Sequence, residues 1–164
     1  METAISVSTR RARFEELYVT HAPDALRIAY LLVGDRAQAE DIVQDAFVRV
    51  FGRFGELRKP ESFRTYLMRA VVNLAKNYFR RRSVERKHAN SAGAAISSNP
   101  ERDDDLLDAL KKLPDRQRAA LVLRYCEDLS EHDTAEILQT SIKAVKSLVT
   151  RGLAALREME EVTR

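Results

Sequence analysis

The strongest constraint on this chain is the spacing of its apolar residues, which recur every three or four positions over most of its length. No stretch alternates with the period of two that a half-buried strand requires. From Phe14 the series Leu17, Tyr18, Leu26, Ala29, Tyr30, Leu32 and Val33 predicts a first helix closed by Gly34, with Pro23 a candidate bend. Asp35 followed by Gln38 has the form of a capping box, and Ile42, Val43, Ala46, Phe47, Val50 and Phe51 line one face of a second helix. Gly52 and Gly55 interrupt the period. Pro60 can open a third helix whose apolar stripe is Phe63, Tyr66, Leu67, Ala70, Val71 and Leu74.

Residues 83–100 (SVERKHANSAGAAISSNP) are small and polar without a sustained apolar period, so they are expected to link two units, 1–82 and 101–164. In the second unit Leu106, Leu107, Leu110 and Leu113 precede Pro114, and a further apolar run covers 119–125. Ser130 with Asp133, and then Ser141, are caps for two closing helices, the last carrying Ile142, Val145, Leu148, Val149, Leu153 and Leu156. The expected fold class is all-α, two small helical domains joined by a flexible linker.

Charge is distributed unevenly. Residues 1–82 hold 15 basic and 10 acidic side chains, whereas 101–164 hold 11 and 14, so the two units differ in sign. Within 60–82 alone, Arg64, Arg69, Lys76, Arg80, Arg81 and Arg82 face only Glu61. A basic stripe of this kind is what a nucleic-acid partner would use. The single cysteine, Cys126, excludes an internal disulfide and points to a reducing compartment, with the cytoplasm the expected location. The first 13 residues lack an apolar signal core, and the longest apolar run, Ile28–Val33, is far shorter than a membrane span.

The closing helix pair, about 130–138 and 142–158 around a three-residue turn, has the proportions of a helix-turn-helix. Lys143, Lys146, Ser147, Thr150 and Arg151 share the outward face of its second helix, where cations and hydroxyls can reach phosphates or base edges. A solvated face on an ordinary helical hairpin would look the same. The run Asn73–Arg82 mixes cations, amides and the aromatics Tyr78 and Phe79, a combination suited to separated strands. It also suits a basic helix end with its aromatics in the core.

Catalytic constellations do not assemble. His21, His88 and His132 are far apart in sequence and near no metal-ligand spacing, so no metal or cofactor is expected. Glu127 and Asp128 beside Cys126 disfavour a thiolate, which makes that residue a structural thiol. Asp103, Asp104 and Asp105 fit a helix start. The chain is therefore expected not to be an enzyme.

Five segments, in order, resemble the group 4, or extracytoplasmic-function, sigma factors of the sigma-70 family. Residues 39–47 (AEDIVQDAF) are similar to region 2.2, and 62–67 (SFRTYL) with 73–82 to regions 2.3 and 2.4. Residues 113–118 (LPDRQR) with Leu123-Arg124-Tyr125 are similar to the opening of region 4, which Leu129-Ser130-Glu131 and Val145-Lys146-Ser147 continue. The resemblance implies docking on the beta-prime clamp helices of core RNA polymerase through Asp41, Gln44 and Asp45, with the beta flap as a further polymerase contact. It implies minus-10 recognition by Leu57, Asn73, Lys76, Asn77, Arg80 and Arg81, with a base flipped into a pocket. Minus-35 recognition would fall to Arg124, Ser130 and the outward face of the last helix, and an anti-sigma factor is the usual further partner. No membrane partner is implied.

Departures from the family pattern are Tyr66 for a frequent Trp, Asn77 for Asp, Gln139 and Lys143 for glycines, and Leu148 for Arg. Gly152 inside the recognition helix is expected to make it less rigid. Two other classes fit the residues less completely: an autonomous helix-turn-helix repressor, which would need a dimerisation stripe, and an adaptor that binds only proteins.

Overall fold

The computed structural model describes residues 2–53, 62–88 and 104–164, all but short turns of which are helical. The helices are α1 (Glu2–Val33), α2 (Arg36–Arg53), α3 (Ser62–His88), α4 (Asp104–Lys111), α5 (Asp115–Leu121, passing directly into a π-helical turn, Val122–Cys126), α6 (Glu131–Leu138) and α7 (Ile142–Thr163). Long helices α1–α3 form one bundle. The shorter α4–α7 form the other.

Local chemistry explains most of the boundaries. Gly34 ends α1 with φ +73°, and its N–H donates to the Tyr30 carbonyl at 2.7 Å, a left-handed close that glycine adopts without a Cβ clash. Asp35 caps α2 by accepting from the Gln38 N–H at 3.1 Å. Ser130 accepts from Asp133 N–H at 3.0 Å and Ser141 from Ala144 N–H at 3.1 Å, so both expected caps form. Gln139, between them, takes φ +51° and ψ +51°, the left-handed turn conformation for which the missing glycine is suited.

Several expectations need correction. Helix α1 starts at Glu2 rather than near Phe14 and continues through Pro23, and α2 continues through Gly52, beside which there is open space. Helix α3 extends to His88, so the linker does not begin at 83: Ser83 to Lys87 contain no glycine or proline to stop it. Pro60, Gly55 and the rest of the expected loop lie outside the described residues, as do 89–103. Tyr66 is not in the apolar stripe but 40% exposed, with the Arg69 guanidinium 5.8 Å from its ring, and Leu106 and Ile142 are also exposed. Gly152 is a packing residue, not a point of weakness: a Cβ there would lie 2.8 Å from Leu121 Cδ1, so glycine is what lets α5 approach α7.

The α1–α3 core contains Ile28, Phe47, Phe63, Leu67 and Val71, with Phe14 edge-on to Phe51 at 4.5 Å and to Phe47 at 6.1 Å. That core does not stop at the linker. Leu110, Leu113, Val122 and Leu123 of the second bundle are buried in the same cluster as Ile28, Leu31 and Leu32 of α1. The two units are packed against each other as well as tethered.

Candidate nucleic-acid interface

Helix α7 presents its polar face as the period requires. Lys143, Lys146, Thr150 and Arg151 are exposed and Ser147 is half-buried, while Val145 on the opposite side is fully buried and Val149, Leu153 and Leu156 are partly so. The last three border the core. Lys146 Nζ lies 3.7 Å from the Glu131 carboxylate, an exposed pair that contributes little stability and leaves the lysine available. Thr150 donates back to the Lys146 carbonyl at 2.9 Å, so its hydroxyl proton is engaged while its oxygen remains an acceptor. Leu148 is half-buried rather than pointing freely outward.

Arg124 and Ser130 carry structural duties that sequence reasoning did not anticipate. The Arg124 guanidinium donates to the Leu129 carbonyl and so braces the turn between the π-helical segment and α6. Ser130 accepts the Asp133 amide, in the first turn of α6, through its Oγ. Each keeps donors for a phosphate, but neither is a free side chain.

Along α3, Lys76, Asn77, Arg80 and Arg81 are exposed and Asn73 is half-buried, in one continuous run. Leu57 lies outside the described residues. The two aromatics of this run do not project into solvent. Tyr78 and Phe79 pack edge to face at 5.7 Å on the rim of the core; Arg82 donates to the Tyr78 hydroxyl at 3.1 Å, and the Arg118 guanidinium sits 5.2 Å from the Phe79 ring. Stacking bases on this pair is therefore replaced by packing. Asp41, Gln44 and Asp45 are exposed together on α2, opposite the buried Ile42, Val43 and Ala46.

Arg118 is the residue that sequence analysis missed. It is buried, and its guanidinium donates to four carbonyls: Leu110 at 2.7 Å, Lys111 at 2.8 Å and Leu113 at 3.2 Å around the end of α4, and Leu32 at 2.7 Å near the end of α1. Carbonyls at helix ends lack intrahelical partners, and a planar fork of five N–H donors can satisfy several at once. Burial pushes its pKa down, with Asp115 acting against that shift. The sequence signal was an arginine three and four positions before the buried Leu121 and Val122, on their side of the helix.

Two further contacts join the units. Arg64 Nη2 donates to both the carbonyl and the carboxylate of Glu127, each at 3.0 Å, and Arg69 Nη2 donates to the Glu136 carbonyl at 3.0 Å. Glu127 is buried, and its pKa is raised chiefly by that burial, while the Arg64 hydrogen bond and the charges of Arg64 and Arg27 oppose the rise and Asp24 adds to it. His132, Asp133 and Glu136 bring ligand-type atoms within 4.8 Å of one another, a grouping not evident from the spacing of the histidines. His132 and Asp133 sit in the first turn of α6, where a carboxylate favours the helix N-terminus, and Glu136 lies one turn further along.

Each of the two units matches a known family model. Residues 17–85 match the family model for sigma-70 region 2, and residues 103–156 match that for sigma-70 region 4. The chain is 36% identical over 149 residues to an RNA polymerase sigma-E factor of Streptomyces avermitilis, covering 88% of this chain and 83% of that protein. Its fold is similar to that of the sigma factor RpoE of Bartonella quintana, solved with the anti-sigma factor NepR (TM-score 0.80, 23% identity, 93% of this chain and 99% of that one). CnrH, solved with the cytosolic domain of CnrY, is also similar (TM-score 0.75, 23% identity, 98% and 96%).

Proposed function

The chain belongs to the sigma-70 family of RNA polymerase sigma factors, and from that membership we propose how its residues divide the work of promoter recognition. It binds core RNA polymerase and directs promoter-specific initiation. The autonomous repressor is set aside, because both units match sigma regions in the family's order.

The proposal assigns docking on the beta-prime clamp helices to Asp41, Gln44 and Asp45, supported by their shared exposure on α2. Minus-10 recognition and strand separation fall to Leu57, Asn73, Lys76, Asn77, Arg80 and Arg81. Unstacking a base costs a few kcal/mol, which binding of the displaced strand by these cations and amides can offset without any bond chemistry. The chain would act as a binding protein, not an enzyme. Minus-35 readout falls to Lys143, Lys146, Ser147, Thr150 and Arg151, with Arg124 and Ser130 near the phosphates and the beta flap behind the domain. An anti-sigma partner and a cytoplasmic location complete the reading. No helix among the described residues is long and apolar enough to cross a membrane.

The observation that carries this assignment is the cation-and-hydroxyl face of α7, exposed on a helix-turn-helix whose two serine caps are formed. In transcription reconstituted with core polymerase, Lys146→Ala should lose roughly tenfold to a hundredfold on a cognate minus-35 element and much less on scrambled DNA, as a base contact of about 1–3 kcal/mol requires. Equal loss on both would reduce this face to a non-specific clamp.

A further inference from the structure

The cations on the outward face of α7 are not held alike. Among the described residues Lys143 and Arg151 have no carboxylate partner, whereas Lys146 Nζ lies 3.7 Å from the Glu131 carboxylate of α6. Both ends of this pair are anchored. Ser130 Oγ accepts from the Asp133 N–H at 3.0 Å and fixes the first turn of α6, to which Glu131 belongs. Ser141 Oγ accepts from the Ala144 N–H at 3.1 Å and fixes the start of α7, and Val145, next to Lys146, is fully buried. The pair therefore joins the two helices of the helix-turn-helix on their solvent side. With side chains 63% and 39% exposed, it contributes little to folding.

A carboxylate in the first turn of a helix has a structural explanation of its own, since it complements the positive end of the helix. Asp133 fits that explanation: it lies 3.6 Å from His132 of the same turn. Glu131 goes further, because its partner is a cation of the other helix, on the face assigned to DNA.

The chemistry of the pair bears on which acceptor the lysine can take. An ammonium carries three donors on a flexible four-carbon stem, so Lys146 can keep Glu131 and still donate to a second acceptor. The O6 and N7 of a guanine edge are neutral and can share the ammonium with the carboxylate. A phosphate oxygen is anionic, and in the same place it would be repelled by Glu131. An unpaired lysine has no such preference and swings to the nearest phosphate on any sequence.

We infer that Glu131 is a specificity-determining residue for the minus-35 element. It holds Lys146 toward base edges and keeps it off the backbone, so that the lysine strengthens binding to a cognate element and adds little on other DNA. Glu131 acts through Lys146, as a positioning residue. The inference deepens the assignment of the α7 face made above and rests on it.

The test is competition binding of the full chain, reconstituted with core polymerase, to promoter fragments that share a minus-10 element and carry a cognate or a scrambled minus-35 element. At about 0.1 M salt Glu131→Gln should tighten binding to the scrambled fragment about fivefold to tenfold, the effect of one new phosphate contact, and to the cognate fragment about twofold or less. On the scrambled fragment the slope of log K against log salt should steepen by about 0.9, and on the cognate fragment by clearly less. In a Lys146→Ala background Glu131→Gln should leave the cognate-to-scrambled ratio unchanged, because the lysine it acts through is gone. Asp133→Asn removes the other carboxylate of the first turn. It should lower the melting temperature about as much as Glu131→Gln does, yet keep the wild-type ratio.

Equal tightening on both fragments by Glu131→Gln, the same fall in ratio for Asp133→Asn, or an effect that persists without Lys146 would each overturn the inference. Lys146→Ala alone separates the two levels. If it weakens both fragments equally, the minus-35 assignment fails and the inference falls with it. If it weakens mainly the cognate fragment while Glu131→Gln leaves the ratio as it was, the assignment stands and the role of Glu131 is refuted.

Discussion

The two bundles are built from the same helical period yet are stabilised differently. In α1–α3, apolar packing dominates, with Phe14 edge to face against Phe47, Phe51 and Phe63, and Phe47 tilted on Phe63, around a core of aliphatics. Among the described residues every buried polar or charged side chain, Arg118, Glu127 and Thr134, belongs to α4–α7 and its turns. So do both non-glycine residues with positive φ, Asp128 and Gln139. Long helices bury enough area to hold themselves. Short helices of seven or eight residues are marginal alone and need caps, a guanidinium over helix-end carbonyls and forced turns to fix their angles. The price is strain, in the half whose geometry must fit a groove.

If that contrast is right, the first bundle should respond most to lost volume. Phe63 is fully buried and touches Phe14, Phe47 and His21. Phe63→Ala should therefore cost about 3–5 kcal/mol in denaturant unfolding, the largest effect expected from a single truncation here. A loss below about 1 kcal/mol would mean that the aromatic cluster is loosely packed and would erase the distinction between the bundles.

The second bundle should respond in the opposite way at its strained turn. Gln139 occupies a left-handed conformation that costs a residue with a Cβ roughly 1–2 kcal/mol. Gln139→Gly should raise stability by about 1 kcal/mol, after the larger unfolded-state entropy of glycine is subtracted. Thermal melting of the full chain checks the sign. A destabilised variant would show that the Gln139 side chain compensates its backbone.

These two residues also show what could be read without coordinates. The period, the caps at Asp35, Ser130 and Ser141, and the glycine-shaped turn at Gln139 are all decided within a few residues of sequence, and all could be read there. The exposed faces of α2, α3 and α7 follow from the same period. What escaped is non-local. Arg118 binds Leu32 from 86 residues away, Arg64 meets Glu127 across 63, and Gly152 matters only because Leu121 packs over it. For the same reason the sequence left Tyr78 and Phe79 open between base stacking and the core, because the guanidinium over Phe79 comes from the other bundle.

The smallest expected effect is the most discriminating, because it asks whether the part-buried ion pair between the bundles stabilises their contact or only specifies it. Burial raises the Glu127 pKa above its ordinary value of 4.5 despite Arg64, so desolvation outweighs attraction. A group with a raised folded-state pKa contributes stability fully below the unfolded value and loses it as pH rises through the folded one. At neutral pH, then, the ionised carboxylate is a net cost, and the neutral isostere Glu127→Gln, which can still accept from Arg64, should be at least as stable as the wild type. The advantage should shrink as pH falls from 7 toward 4.5, where the wild type protonates. His21 works in the opposite sense. Burial first, then Arg64, lower its pKa against the raising influence of Asp24, so its contribution is present above 6.5 and lost as pH falls through its depressed value. Because His21 is common to both proteins, the difference between them isolates Glu127 to first order. Urea midpoints of the pair across this range measure it. A variant weaker than the wild type by more than about 1 kcal/mol at pH 7 would make the Arg64 pair a net source of stability, and the second bundle would then owe its position to charge as much as to Arg118.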